Sequence, residues 1–371
     1  MRVSAPGKLF LAGEWAILER GNPGIVAAVD KRVFAELEPV AGKYVSVTID
    51  DFRIRDIRYS WNGEKLGLFP LYTVEESATT FLVLAVETAL KFLKEKGIEF
   101  RPFKIRTWSE GFQVGVERKQ RKVGFGSSAS SVVAIVKGVL EFHGYPATRD
   151  QVYKLSAIAH YVGQGKVGSG FDVAAAVHGG LFMYKRFDGD WLVQKIKDGK
   201  SLSALVTEDW PRLEIEPLPA LDNLQLDIAW TQEPASTTML VSAFNEWAKV
   251  YRDDWRTYHS RISNVVRELL MAWKQKDASQ VLQLFRENGA LLRELGEKAG
   301  VPIETEQLGK LRDIANACGG AGKLSGAGGG DCGIGISFDK ATSDRIRKGW
   351  AEAGLLVVDA KIDQEGVRVE K

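Results

Sequence analysis

Residues 122–138 read KVGFGSSASSVVAIVKG, with two glycines and four serines set directly before an apolar run. From Ser127 or Ser128 onward, Val132, Val133, Ile135, Val136, Val139 and Leu140 recur at helical spacing, so the serines fall at the N-cap and first turn of a helix. A helix start carries unsatisfied N–H donors and the positive end of the macrodipole. Gly124 and Gly126 leave that backbone open to close approach. Two readings follow: a serine-capped turn, or a cradle in which backbone amides hold a phosphate and a hydroxyl meets its Mg2+. The spacing is not G-x-x-x-x-G-K-[ST], which excludes a P-loop.

An anion bound by this chain must be gripped locally, because 50 basic residues face 48 acidic ones and the net charge is only +2. That balance gives no electrostatic reason to expect nucleic acid or a membrane surface as partner. Cys318 and Cys332 are too few for a disulfide framework and lack metal-ligand spacing, which fits a reducing compartment. The N-terminal MRVSAPGKLFLAGEWAILERG is interrupted by Pro6, Lys8 and Glu14 and reads as neither signal peptide nor anchor. The longest apolar stretch, SSVVAIVKGVLEF, is broken by Lys137 and too short to span a bilayer. The expectation is a cytoplasmic protein, monomer or homodimer.

A chain of 371 residues exceeds what one core usually serves, so two domains are expected. KLFLAG, RVFAELEP, YVSVTI, PFKIRTW and GLFMYKRF read as strands. Helical periodicity covers about 77–95, 128–142, 150–162 and 171–178. Because strands and helices mix without regular alternation, the fold class is α+β. The charged, proline-containing segment 187–222 places the boundary, giving domains 1–200 and 201–371. Beyond it come the strand LQLDIAWT, long amphipathic helices between about 237 and 317, and then a strand, a helix and a strand.

Two further segments are rich in small residues. KLSGAGGGDCGIGI, 323–336, reads in isolation as a flexible loop, but Gly333 and Gly335 weaken the strand that follows and suggest the wall of a site. In QGKVGSGFDVAAAVHGG, 164–180, Ser169 and Gly170 precede a short helix with Asp172 in its first turn, either a plain capping residue or a site carboxylate. Lys166 lies six residues before it.

SAPGKLFLAGEWAIL, VGFGSSAS and KLSGAGGGDCGIGI, in that order over nearly the whole chain, resemble the three motifs of the GHMP kinase superfamily, small-molecule kinases that bind ATP without a Walker loop. Trp15 stands where mevalonate kinases typically have His, and GQGKVGSGFDVAAAVHGG and GGGDCGIGISFD resemble the branch whose acceptor is 5-phosphomevalonate. The second motif lacks an upstream Pro and carries Phe125 where Leu is usual; neither change removes a backbone donor.

The resemblance implies a two-domain fold with the active site in the cleft between the domains, ATP and Mg2+ as cofactors, and transfer to 5-phosphomevalonate in isoprenoid precursor synthesis. It assigns Lys8, Lys122 and Asp172 to catalysis. Gly124, Gly126, Ser127, Ser128 and Ala129 would hold the triphosphate, with Ser128 contacting Mg2+. Lys8, Lys166, Ser169, Thr237, Thr238, Gly326, Ala327 and Gly328 would meet the acceptor. His143, His160, His178 and His259 share no metal spacing and read as packed or surface residues. The ten tryptophans read as core. Rival readings are a mevalonate kinase, a decarboxylase of the same superfamily, and a non-catalytic ATP or metabolite sensor. Intact Lys8, Asp172 and phosphate loop weigh against the sensor.

Overall fold

The computed structural model describes residues 1–69, 76–116, 119–166, 168–233 and 237–371; at 76–78, 114–116, 119–122 and 237–238 it describes the backbone alone. Two apolar runs near the N-terminus organise the rest. Strand β1 (Arg2–Ala12) pairs antiparallel with β2 (Pro23–Pro39), with register shifts at Pro6/Gly7 and Phe10/Ala12. Beyond them come β3 (Tyr44–Ile49), β4 (Ile54–Trp61), β5 (Leu66–Leu68), helix α1 (Glu76–Glu95), β6 (Phe103–Glu110), and the separate hairpin β7 (Gln113–Val116) and β8 (Lys119–Lys122). Helices α2 (Ser127–Phe142), α3 (Arg149–Gly163) and α4 (Phe171–His178) follow, then β9 (Leu181–Lys185), α5 (Gly189–Lys197), α6 (Leu202–Leu205) and β10 (Glu214–Pro217).

β2 is the spine of this sheet. It pairs with β9 through Pro23–Ala27 and with β6 through Arg32–Pro39, while β3 runs parallel to β6. Along β1 and β2 the side chains divide by the strand period of two. Val3, Ala5, Phe10, Val26 and Ala28 face a core shared with α1–α4. Leu9, Leu11, Ile25, Ala27 and Val29 face a second core supplied mostly by the C-terminal half. A strand buried on both faces loses hydrophobic alternation, which is why GIVAAVD escapes a reading based on it.

The C-terminal half contains β11 (Gln225–Trp230), α7 (Thr237–Val250), α8 (Arg252–Lys274), α9 (Ala278–Ala299), α10 (Glu306–Ala317), β12 (Ala321–Leu324), β13 (Cys332–Ser337), α11 (Lys340–Glu352) and β14 (Leu356–Val358). Its antiparallel sheet has the order β12-β13-β11-β14. The α+β, two-domain expectation agrees with this architecture, but the chain does not divide cleanly at residue 200. β10 pairs with β9, and β15 (Arg368–Val369) returns to pair with β1, so both belong to the first sheet. The buried Arg32–Asp363 ion pair, with Arg32 also donating to the Gly366 carbonyl at 2.6 Å, fastens that returning tail.

One expectation is corrected here. Gly333 and Gly335 do not line a ligand wall: a Cβ at Gly333 would meet Leu311 of α10 at 2.5 Å, and one at Gly335 would meet the Trp350 ring of α11 at 3.0 Å. Their missing side chains let helices settle onto β13. Among the described residues, no helix is long and apolar enough to cross a membrane.

Candidate active site

The glycine–serine segment leads into α2 as its spacing predicts. Val123 N–H donates to the Phe112 carbonyl (2.9 Å) and Lys8 N–H to the Phe125 carbonyl (2.8 Å), fastening the loop to β1. Phe125 itself is buried against Phe112. Gly126, at φ 77°, begins the helix, and no side chain caps it. Nor does its first turn contain an acidic residue. Among the α-helices whose N-cap is described, α2 is the one with neither device. Its start therefore keeps both free donors and an unneutralised dipole. Ser127 and Ser128 are half-buried and Ala129 is buried, whereas Ser130 is structural, its hydroxyl donating to the Pro6 carbonyl at 2.7 Å.

Lys8 stands beside this helix end. Its stem lies along Gly126, where a Cβ would sit 3.0 Å from Lys8 Cγ. Its ammonium donates to the Gly124 carbonyl at 2.7 Å and lies 5.9 Å from the centroid of Phe171. The neighbouring residue, Asp172, opens α4. Its Oδ2 lies 3.9 Å from His160 Nε2, which is in turn 3.3 Å from Ser128 Oγ. No Lys8–Asp172 ion pair forms among the described residues; a buried imidazole, 2 % exposed and stacked on Phe81, stands between Asp172 and the phosphate loop instead. The reading of His160 as a packed residue accords with its burial, but its contacts give it a place in the site as well.

The turn before Asp172 is held from behind. Tyr184 OH donates to the Ser169 carbonyl at 2.6 Å and lies 3.0 Å from Tyr153 OH. Burial pushes both phenols up from their ordinary range. Gly170, at φ 81°, has no room for a side chain: a Cβ would approach Phe187 at 2.9 Å and Tyr184 OH at 3.0 Å. Lys166 is exposed, at φ 68°. The side chains of Lys122, Thr237 and Thr238 lie outside the described residues; their backbones end β8 and begin α7.

The third motif also docks on β1. Ser325 both accepts from Phe10 N–H (3.1 Å) and donates to the Phe10 carbonyl (3.0 Å), docking the loop on β1. Gly326, at φ 90°, faces open space, and Ala327 packs on the second core. Gly328 turns inward: its Cβ position lies 1.9 Å from the Ile303 carbonyl oxygen, so packing against residue 303 accounts for this glycine. Below the loop, Lys323 donates to Glu14 in an ion pair with side chains 0 % and 1 % exposed. Burial pushes the Glu14 carboxyl up and the Lys323 ammonium down, each opposed by the other's charge. Removing one partner of such a pair strands a buried charge, so the pair welds motif one to motif three.

Asp331, Glu14 and Lys323 are not assigned to the site by the sequence reading, and His160 is read there as packed or surface. Asp331 lies inside the quoted GGGDCG, yet nothing local marks its target. Its carboxylate accepts Gly124 N–H at 3.0 Å. Burial raises its carboxyl above the ordinary range, opposed by that amide and by Lys8.

No cluster of three or more metal-ligating side chains occurs among the described residues. Mg2+ keeps several waters and is commonly bound through one or two protein oxygens plus substrate phosphates. The Ser128 hydroxyl and the Asp172 carboxylate are hard oxygen donors of the kind Mg2+ takes, and both contact His160.

Comparison with known proteins identifies the family. The family description "GHMP kinases N terminal domain" matches residues 83–180, and "GHMP kinases C terminal" matches 267–355. A phosphomevalonate kinase of Streptomyces sp. (strain CL190) is 32% identical over 98% of this chain and 97% of its own length. The Lin0012 protein of Listeria innocua superposes with a TM-score of 0.90 at 32% identity, covering 100% of this chain and 99% of that one. Streptococcus pneumoniae phosphomevalonate kinase, solved in complex with phosphomevalonate and AMPPNP, superposes with a TM-score of 0.82 at 23% identity over 98% and 99% of the two chains.

Proposed function

Because the chain belongs to the GHMP kinases, we propose that it transfers the γ-phosphoryl group of ATP to the 5-phosphate of phosphomevalonate, giving ADP and 5-diphosphomevalonate. The observation that carries this reading is the start of α2, uncapped and free of acidic residues, set beside the Lys8 ammonium. The Streptomyces relative named as a phosphomevalonate kinase supports the choice of acceptor.

The acceptor's second pKa lies near about 6, so at neutral pH the attacking oxygen is already largely ionised. No obligatory base is then required. The problem is to bring two polyanions into line, and catalysis rests on positioning and charge neutralisation. The amides of Ser127, Ser128 and Ala129 take the β- and γ-oxygens of the nucleotide, with Gly124 and Gly126 shaping the loop. Lys8 neutralises the transferring group, aided by Lys122. Ser128 and Asp172 would hold Mg2+, which would supply charge neutralisation at the phosphates. Asp172, which makes no ion pair with Lys8 among the described residues, would orient the ion and does not need to abstract a proton. Lys166 meets the 5-phosphate, and Ser169, Thr237 and Thr238 meet the mevalonate portion. Gly326 and Ala327 cover the reacting groups, and Gly328 supports them from beneath.

Coupled ADP release with phosphomevalonate and with mevalonate, side by side, tests this reading. Turnover with phosphomevalonate and at most trace turnover with mevalonate is expected. The reverse ranking would make the chain a mevalonate kinase, and no turnover with either would remove the proposal.

A further inference from the structure

Asp331 belongs to the C-terminal half but touches the phosphate loop of the N-terminal half. Its Oδ1 accepts the Gly124 N–H at 3.0 Å, and a Cβ on residue 124 would lie 1.6 Å from its Oδ2. Only glycine fits beneath this carboxylate, so the smallness of residue 124 serves a protein carboxylate in this structure. The carbonyl of the same glycine accepts the Lys8 ammonium at 2.7 Å. One residue thus donates to Asp331 and accepts from Lys8.

Asp331 is itself held firmly. Its N–H donates to the Glu233 carbonyl (2.8 Å), and its carbonyl accepts both the N–H (2.8 Å) and the hydroxyl (3.0 Å) of Thr231. The backbone stands in the left-handed region at φ 60°, and the adjacent Gly330 leaves no space for a side chain, its Cβ position being 2.8 Å from the Glu233 carbonyl oxygen. A carboxylate mounted this way is a fixed strut across the boundary between the halves.

We propose that Asp331 is a positioning residue for Lys8: by holding the Gly124 amide from the C-terminal half, it aims the Gly124 carbonyl at the lysine and fixes the ammonium where phosphoryl transfer requires it. This rests on the assignment of Lys8 to the transferring phosphoryl group. The contact needs an acceptor at that point more than it needs a charge. Asp331→Asn keeps an amide oxygen there and Asp331→Ala does not. A competing role, in which the carboxylate occupies the cradle as a resident anion, predicts that removing it tightens nucleotide binding.

The test combines steady-state kinetics, calorimetric titration with AMPPNP, thermal melting, and mass-spectrometric mapping of Lys8 reductive methylation. Asp331→Ala should lower kcat about 10- to 100-fold, the scale of loss for a misplaced catalytic group. The KM values should stay within about 3-fold and Asp331→Asn within about 3-fold of wild-type kcat, because uniform binding is untouched. Lys8 methylation should accelerate in Asp331→Ala and not in Asp331→Asn. This last readout needs no turnover, so it separates failure of the proposal from failure of the substrate assignment. Should Asp331→Ala not fold, Asp331→Asn and the pair Gly124→Ala/Asp331→Gly carry the test: the pair should melt above Gly124→Ala alone yet keep a low kcat. Unchanged Lys8 labelling in Asp331→Ala, tighter AMPPNP binding at unchanged kcat, Asp331→Asn as slow as Asp331→Ala, or wild-type kcat or no regained melting temperature in the double variant would each overturn the proposal.

Discussion

Helix α3 begins at Thr148, whose hydroxyl accepts Gln151 N–H at 3.2 Å while the Gln151 side chain accepts Thr148 N–H at 3.0 Å. Helix α2 begins at Gly126 in left-handed backbone, with no side chain over its first amides. The α3 pattern is the commoner one here: Asp188, Ser201, Asp277, Thr305 and Asp339 cap α5, α6, α9, α10 and α11. The uncapped α8 carries Asp253 and Asp254 in its first turn. Helix α4, also begun by a left-handed glycine, has Asp172 there. A helix whose role ends with the fold satisfies its own amides. A helix start reserved for an anion gives up that stabilisation, about 1 kcal/mol for a good cap. Under the proposed function, this difference separates a structural terminus from an anion-holding one.

Five substitutions strain this contrast. The largest effect is expected from Lys8→Met, which removes the cation beside the open helix end: kcat should fall about 100- to 1,000-fold, the range for losing one oriented electrostatic group, with little change in melting temperature. A kinetic loss below 10-fold in coupled assays would detach Lys8 from the chemistry. Asp172→Asn should retain measurable turnover, down about 10- to 100-fold through poorer orientation. Complete loss with unchanged substrate binding by calorimetry would restore a proton-abstracting role. Gly126→Ala places a methyl 3.0 Å from Lys8 Cγ on left-handed backbone. It should lower stability by about 1–2 kcal/mol and raise the ATP KM. A denaturation midpoint that moves while KM stays fixed would leave the glycine a purely structural start. The smallest effect belongs to the capped class: Thr148→Ala in α3 and Asp277→Ala in α9 should each cost about 1 kcal/mol in urea unfolding. Both should leave kcat and KM unchanged, and a kinetic change in either would blur the distinction.

The amphipathic helices were the most legible part of this chain. Periodicity predicts 77–95, 128–142, 150–162 and 171–178, and the helices run Glu76–Glu95, Ser127–Phe142, Arg149–Gly163 and Phe171–His178. Strands with a clear β-branched or aromatic signal, such as YVSVTI, were equally readable. The opening of β2 was not, because Gly24–Val29 is buried throughout and shows no alternation. Nor were α5 and α6, whose charged and proline-containing surroundings read as a boundary. Within the candidate site, Ser127, Ser128, Lys8 and Asp172 stood in the quoted motifs, and the fold brings those motifs together. His160 did not, because a histidine on an amphipathic helix looks the same whether it faces packing or a carboxylate at the start of the next helix.

The sequence alone determined the helix with its glycine start, the segment that opens on Asp172, and the strand character of the first motif. Each is set by neighbours a few residues away, where backbone sterics and side-chain period act directly. Tertiary structure decided what those parts meet. Asp331 reaches Gly124 across 207 positions and Lys323 reaches Glu14 across 309, while Gly333 and Gly335 proved to serve helix packing. No local pattern encodes such pairings, because they depend on how two separately patterned halves dock along one shared pair of strands.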